Sequence, residues 1–126
     1  MRNSIISVIL FIALVIGLFF LNNKFVNLCN EIIVKCDIIE DYLDNYEEDK
    51  AYEDSVALID MIQEEADVPA IYLNHVDYDY LKNDALKLSL YIKGEDRAES
   101  LATLHSVRST AEHLRDLQMP NLKNLL

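Results

Sequence analysis

The sequence predicts an all-α protein in which an N-terminal transmembrane helix continues into a small antiparallel bundle of about four helices. Composition is the first observation, because 126 residues include only two Gly and two Pro, too few for a fold with many turns. The second is a long uncharged run at the N-terminus. The third is the recurrence of apolar residues at steps of three and four along the rest of the chain. Together they predict a few long helices in one small domain.

The uncharged run, residues 5–21, predicts a transmembrane signal-anchor over residues 1–23. The run has 17 residues, and with its polar flanks it forms a helix about 30 Å long, which matches the hydrocarbon core of a bilayer. No small-x-small pattern follows it, so we expect an anchor and not a cleaved signal peptide. Arg2 precedes the run and an acidic region follows, which favours a cytoplasmic N-terminus and an extracytoplasmic domain over residues 24–126 at the cell membrane.

The acidic charge limits the classes of partner. The formal net charge is −11 at pH 7 and no basic patch interrupts it, which excludes nucleic acid. The sequence also lacks the Gly-rich motifs of P-loop and Rossmann nucleotide sites. We therefore expect the membrane bilayer and another integral membrane protein as partners, and no cofactor.

A stalk helix is predicted over about residues 24–46, and its apolar seam is Cys29, Ile32, Cys36, Ile39, Leu43 and Tyr46. At 100° per residue, an acidic ridge lies about a quarter turn away. This ridge comprises Asp37, Asp41, Asp44 and Glu48. It is either a solvated helix face or a docking surface for a cation or a basic partner.

Three further helices are predicted over about residues 50–66, 69–93 and 96–118. The apolar face changes sides after the stalk, which places a chain reversal near residues 47–50. We expect Gly94 in a left-handed C′ position and a capping box at Asp96 and Glu99. The apolar face expected on the first of these helices is Tyr52, Val56, Ile59, Ile62 and Ala66. On the second it is Ile71, His75, Tyr78, Leu81 or Lys82, Ala85, Leu88 and Ile92. On the third it is Leu101, Leu104, Val107, Ala111 and Leu114.

The chain is expected to end in an apolar tail over residues 120–126. Its Leu122, Leu125 and Leu126 are predicted to fold back on the bundle and to contribute to a docking surface.

The C-terminal half resembles a known family. The resemblance is carried by the run NHVDYDYLKNDALKLSLYIKGED, by the spacing through Leu101 and Leu104 to Glu112-His113-Leu114, and by the ending PNLKNLL. These motifs resemble domain of unknown function 4363, a family of small anchored proteins of spore-forming Gram-positive bacteria. The resemblance implies one N-terminal span, a helical ectodomain, no assigned activity and, from neighbouring genes, a multi-span membrane partner. The chain departs from the family pattern at Val76, where an acidic residue is usual.

The histidines raise the question of a metal site. On a helix, His75 and Asp79 are i,i+4 neighbours and could supply two zinc ligands, with a third from His105 or His113. The alternative is a polar layer in which His75 is hydrogen-bonded across the bundle. We expect this structural role and no metal. The spacing after Asp77 also fails the requirements of an EF-hand.

Cys29 and Cys36 are predicted to be packing residues. They lie on an apolar seam beside carboxylates, which raises a thiol pKa and disfavours a nucleophile, so we expect no enzyme. Seven residues of helix separate them by about 10 Å, too far for a disulfide within one chain. A parallel homodimer through the stalk would bring each cysteine against its copy and allow an intermolecular disulfide.

Two functions fit these observations. The first is a non-enzymatic, membrane-anchored accessory or interaction protein that docks to another membrane protein. The alternative is a sensor-like helical ectodomain that binds a small ligand or a divalent cation.

Overall fold

The computed structural model describes residues 1–65 and 75–118, and these residues form four α-helices and no strand. The helices are α1 (Arg2–Asp44), α2 (Glu48–Glu64), α3 (His75–Lys93) and α4 (Arg97–Gln118). The predicted all-α bundle is confirmed. The predicted boundary at residues 68–69, the predicted apolar positions Ala66 and Ile71, and the apolar tail lie outside the described residues.

The helices form an up-and-down bundle. α1 packs against α2 and α4, and α3 packs against the same two helices, so that neighbours in sequence are neighbours in space. One core runs through all four helices, with buried residues from each. We call the end of the bundle where α1 enters the proximal end and the opposite end, where the α1–α2 and α3–α4 turns lie, the distal end.

α1 has two parts with different surroundings. The helix contains 43 residues and is therefore about 65 Å long. Residues 5–21, here called the apolar segment, are exposed up to Phe20 and are long and apolar enough to span a membrane. The first core residue is Phe25, which is fully buried. Only three residues, all helical, separate the apolar segment from the bundle.

The buried faces match the predicted seams in three of the four helices. In α1 the seam through Leu43 is buried as predicted, but Tyr46 is exposed because the helix has already ended. In α3 and α4 the predicted series is also buried, except that Leu101 is partly exposed and His75 is fully outside the core. In α2 the prediction is only partly right, because Ile62 is buried as predicted but the other buried residues are Ala51, Ser55 and Leu58. Tyr52 and Ile59 only flank this face.

The two distal turns have the same hydrogen bonding. In the first, the amide of Tyr46 donates to Leu43 and that of Glu47 to Tyr42, at 3.2 and 2.8 Å. In the second, Glu95 donates to Ile92 and Asp96 to Tyr91, both at 3.0 Å. Each pair of bonds is a Schellman motif, which requires a left-handed residue at C′.

Non-glycine residues occupy both left-handed positions. Tyr46 has φ 59° and Glu95 has φ 58°, so the prediction that Gly94 would fill the second position is wrong by one residue. The predicted cap at Asp96 is present, because its carboxylate accepts a bond from the Glu99 amide at 3.1 Å.

The two helical hairpins correspond position by position at a constant offset in the sequence. We call α1 from Lys24 onward with α2 the first hairpin, and α3 with α4 the second. Their C′ residues, Tyr46 and Glu95, are 49 positions apart (46 to 95), and the same offset relates the buried positions of the two hairpins. The offset maps Cys29, Ile32, Cys36, Ile39 and Leu43 onto Tyr78, Leu81, Ala85, Leu88 and Ile92, and Ala51, Ser55, Leu58 and Ile62 onto Ser100, Leu104, Val107 and Ala111.

Candidate functional site

Two residues of the acidic ridge predicted on α1 form ion pairs with α4. Asp37 lies 3.2 Å from Arg108, and Asp44 lies 3.6 Å from Arg97, with both arginines on α4. Asp41 is exposed, while the fourth residue, Glu48, is the first residue of α2. The four carboxylates therefore do not form one ridge. The helix face was predicted correctly, but α4 covers part of it and supplies the countercharge.

Arg108 is the most buried charge among the described residues that form ion pairs, with its side chain 16% exposed. Its Nη2 donates to the Glu40 carboxylate, and its Nε lies near Asp37 at an angle that makes no hydrogen bond. Burial alone would lower the pKa of the guanidinium, but the Glu40 bond and the two negative charges outweigh it and raise that pKa. The charged form of Arg108 is therefore held at every physiological pH.

Arg97 ties the two distal turns together. Its Nη1 donates to the backbone carbonyl of Leu43 in the last turn of α1. The guanidinium also lies over the Tyr46 ring, 4.4 Å from its centroid, and forms the ion pair with Asp44. One side chain from the second hairpin thus satisfies a helix-end carbonyl, a carboxylate and an aromatic face of the first.

The candidate metal ligands do not come together in the described residues. His75 and Asp79 are exposed on the first turns of α3, which contradicts the prediction of a buried histidine layer. His105 is exposed on α4, where its Nδ1 accepts from Arg108 at 3.2 Å, and His113 is exposed further along α4. No group of three His, Cys, Asp or Glu side chains that could hold a metal occurs in residues 1–65 and 75–118.

The two cysteines lie inside the bundle. Both are free, and both are buried in the shared core. Burial raises the pKa of Cys29 to about 12, although Arg115 opposes it, and burial likewise raises the pKa of Cys36 to about 12. The predicted intermolecular disulfide stays a prediction, and in the folded chain neither thiol lies on the surface. The helix face that carries both cysteines packs against the bundle of the same molecule.

Comparison with known proteins gives one match. The family model described as Domain of unknown function (DUF4363) matches residues 19–125. The chain belongs to this family. No curated protein and no solved structure matches it.

The DUF4363 match coincides with the bundle and not with the apolar segment. It begins at residue 19, in the last turn of that segment, and runs through all four helices. The matched range therefore includes the ion pairs of α1 with α4 and both distal turns.

The proximal end of the DUF4363 bundle is fastened to α1 from two sides. Lys24 forms an ion pair of 3.6 Å with Glu65, the residue after α2, and the Asn22 amide donates to the Gln118 carbonyl at the end of α4, at 3.0 Å. Both helices that return from the distal end thus meet α1 where the apolar segment stops. The predicted docking residues Leu122, Leu125 and Leu126 follow this point and lie outside the described residues.

One surface of the DUF4363 chain was not identified from the sequence. On the side of α1 opposite the core, a row of exposed side chains runs from the apolar segment along the bundle. We call it the outer stripe, and it comprises Phe20, Asn23, Asn27, Glu31, Val34 and Ile38. Its members are three or four residues apart, so the signal was present in the sequence. The alternation of asparagine with apolar residues concealed it from a search for apolar periodicity.

Proposed function

We propose that this DUF4363 protein is a non-enzymatic, membrane-anchored interaction protein that docks to another integral membrane protein. The observation that carries the proposal is the continuity of α1. One unbroken helix supplies both the apolar segment and a wall of the bundle, from Arg2 to Asp44. A bundle built on its own anchor helix can act only within reach of the membrane surface.

The proposed topology places the N-terminus in the cytoplasm and the bundle outside. Arg2 precedes the apolar segment, and the acidic bundle follows it. Because Phe25 is already in the core, the bundle stands directly on the membrane without a flexible linker. The Lys24–Glu65 pair and the Asn22–Gln118 bond lie at the level of the lipid headgroups in this arrangement.

The acidic charge favours a protein partner over the lipid surface. The first hairpin carries thirteen acidic and three basic residues between Lys24 and Glu65, and anionic headgroups repel such a surface. The interior of the bundle is filled by its own side chains, so recognition takes place on its outer faces. In the described part of the chain, no clustering of ligating side chains favours the alternative of a cation sensor.

The proposal is tested by isolating the full-length protein from its native membrane in mild detergent and identifying by mass spectrometry what accompanies it. We expect a multi-span membrane protein in near-stoichiometric amount. A matched control keeps residues 22–126 and replaces the apolar segment with an unrelated span of equal length. Loss of the partner with this control places the contact in the membrane, and retention places it on the bundle. Recovery of the native chain without any other membrane protein contradicts the proposal.

A further inference from the structure

We infer that a cleft at the proximal end of the bundle binds the headgroup of one phospholipid, of the class that carries both a phosphate and a primary ammonium group. The cleft has a volume of about 520 Å³ and lies between α1 and Glu65, the residue after α2. Apart from Phe20 and Leu28, the side chains that line it are polar or charged. The inference rests on the membrane anchor of the proposed function and goes beyond it, because it names a ligand and a site.

The anchor places this cleft at the depth of the lipid headgroups. Phe20 lies in the last turn of the apolar segment and lines the end of the cleft nearest the hydrocarbon. Lys24 follows Leu21 by about 4.5 Å of helix, and the headgroup layer of a bilayer is about 5–7 Å thick. When the chain is anchored, lipid headgroups therefore surround the cleft at high local concentration.

The side chains that α1 contributes follow the order of the groups in such a lipid. Proceeding away from the membrane, α1 presents the ring of Phe20, the ammonium of Lys24 and the carboxylate of Glu31 to the cleft. A phospholipid of this class presents its acyl chains, then its phosphate, and at its outer end its ammonium group. The carboxylate of Glu65 lies beside Lys24, at 3.6 Å, and provides a second acceptor for that ammonium.

The groups that line the cleft have unused hydrogen-bonding capacity. The 3.6 Å between Lys24 and Glu65 is longer than a hydrogen bond, so the Lys24 ammonium keeps its donors for phosphate oxygens. Asn23 and Asn27 are exposed and hydrogen-bond to no other described residue, and their amides can donate to the same phosphate. Glu31 is exposed and forms no ion pair within the described part of the chain. The cleft thus offers donors to a phosphate and acceptors to an ammonium group.

The balance of charge selects this class of lipid. One lysine and two glutamates line the cleft, which gives it a formal charge of −1. A purely anionic headgroup would meet two carboxylates without offering them a cation, and the net charge of −11 on the chain adds to the repulsion. A choline headgroup carries a positive charge but has no N–H to donate to Glu31 or Glu65. A primary ammonium supplies both the charge and the donors.

Native mass spectrometry of the full chain in mild detergent tests the inference. The protein is supplied with an equimolar mixture of phosphatidylethanolamine, phosphatidylcholine and phosphatidylglycerol with the same acyl chains. We expect one phosphatidylethanolamine to remain bound per chain, several-fold more often than either competitor. Equal retention of the three lipids, or a preference for either competitor, would overturn the inference.

Charge variants locate the bound lipid at the cleft. Lys24→Met removes the contact with the phosphate and Glu31→Gln a contact with the ammonium, and we expect each to reduce the selective retention about fivefold. Lys87→Met on α3 and Glu64→Gln on α2 remove the same charges at exposed positions outside the cleft, and they should retain the lipid as the native chain does. Selectivity that survives both Lys24→Met and Glu31→Gln would contradict the cleft as the site.

A soluble headgroup distinguishes a lipid from a free phosphodiester. Glycerophosphoethanolamine carries the same two charged groups without acyl chains, so at the concentration of the lipid it should displace little phosphatidylethanolamine. Displacement as efficient as that by added phosphatidylethanolamine would overturn a membrane lipid as the ligand.

Failure of the anchor is read independently. Alkaline carbonate extraction of native membranes should leave the chain in the membrane pellet. If the chain is released to the supernatant, the membrane-anchored function fails. If it stays in the pellet and lipid retention is unselective, only the headgroup site fails.

Discussion

The two hairpins of this DUF4363 protein share a backbone frame and differ in charge. In each hairpin the same Schellman turn, with a left-handed, non-glycine residue, joins the two helices. Nine buried positions of one hairpin correspond to nine of the other. The first hairpin has thirteen acidic and three basic residues from Lys24 to Glu65. The second has eight and six from His75 to Gln118. Both hairpins are therefore net negative, and the attraction between them is local, where arginines of the second hairpin meet carboxylates of the first.

The arginines that join the hairpins lie on α4. Arg97, Arg108 and Arg115 all bond to groups on α1. The residue of the first hairpin equivalent to Arg97 is Glu48, for which the described residues show no such contact across the bundle. The ion pairs between the two hairpins are thus one-sided, because the arginines lie on α4 and their carboxylate partners lie on α1.

Core volumes at equivalent positions are complementary. At the proximal end, Cys29 corresponds to Tyr78, and Ile62 corresponds to Ala111, so each hairpin is large where the other is small. The Tyr78 hydroxyl donates to the Ile62 carbonyl across this layer. This layer of the core therefore combines two large side chains with two small ones.

The largest expected effect comes from truncating an equivalent pair. Ile32→Ala and Leu81→Ala each remove a fully buried side chain at the same position of the two hairpins. We expect each to lower the free energy of unfolding by about 2–5 kcal/mol. Urea unfolding of the full chain in mild detergent, followed by circular dichroism, measures both. Val34→Ala on the outer stripe is the exposed control. A large loss for one variant of the pair and none for the other would refute the equivalence of the hairpins.

Removing an ion pair between the hairpins should lower the free energy of unfolding by less than truncating a core side chain. Arg108→Met keeps the aliphatic stem and leaves Glu40 without its partner, and we expect a loss of about 1–3 kcal/mol. Arg115→Met is the matched control on the same helix, since its contact with Asn30 involves no charge on α1. If the two variants lose equal stability in the same unfolding experiment, charge does not set the pairing of the hairpins.

The two buried thiols of the first hairpin make the stability of the protein depend on pH. Burial holds both thiols protonated in the folded chain, with pKa values of about 12, whereas in the unfolded chain a thiol ionises near pH 8.5. Above that pH the unfolded state binds fewer protons, so stability is full below it and falls as the pH rises toward 12. The slope is about 1.4 kcal/mol per pH unit for each thiol.

Cys36→Ala, which introduces the residue found at the equivalent Ala85, should halve this slope between pH 9 and 10. Unfolding midpoints at several pH values give the slope directly, and Ser109→Ala on the exposed face of α4 is the control. An unchanged slope in Cys36→Ala would show that ionisation elsewhere dominates.

The smallest expected effect concerns the left-handed residues. Glu95→Gly relieves the backbone at φ 58° and should stabilise the chain by about 0.5–1 kcal/mol. Tyr46→Gly relieves the same strain but removes the ring beneath Arg97, so its gain should be smaller. Thermal melts of both variants make the comparison. An equal gain at both positions would mean that the stacking of Arg97 adds no stability.

The helices and most buried faces could be predicted from the sequence because they depend on spacing along one helix. In α1, α3 and α4 the bulky residues recur at the helical period, and they are buried. The α2 face failed because two of its four buried residues, Ala51 and Ser55, are small and carry little apolar signal. The bulkier Tyr52, Val56 and Ile59 directed the prediction to an adjacent face, which shares only Ile62 with the buried one.

The candidate surfaces were harder to predict because they depend on which helices are neighbours. The partners of Asp37 and Asp44 are about seventy and fifty residues away in sequence, and only the packing of α4 on α1 brings them together. The left-handed turn residue was displaced from Gly94 to Glu95 because the helix continues one residue further than glycine suggested. Both failures are tertiary effects that override local preference.

The unbroken passage of α1 from its apolar segment into the core has a geometric consequence. Asn22, Asn23 and Lys24 are helical, so they fix the rotational phase between the two parts. Inserting one residue here would turn the bundle by about 100° and lift it by about 1.5 Å relative to the segment. Side chains at these three positions can vary with little effect on the phase, but their number cannot. The length of this short passage thus determines which face of the bundle any neighbour in the membrane meets.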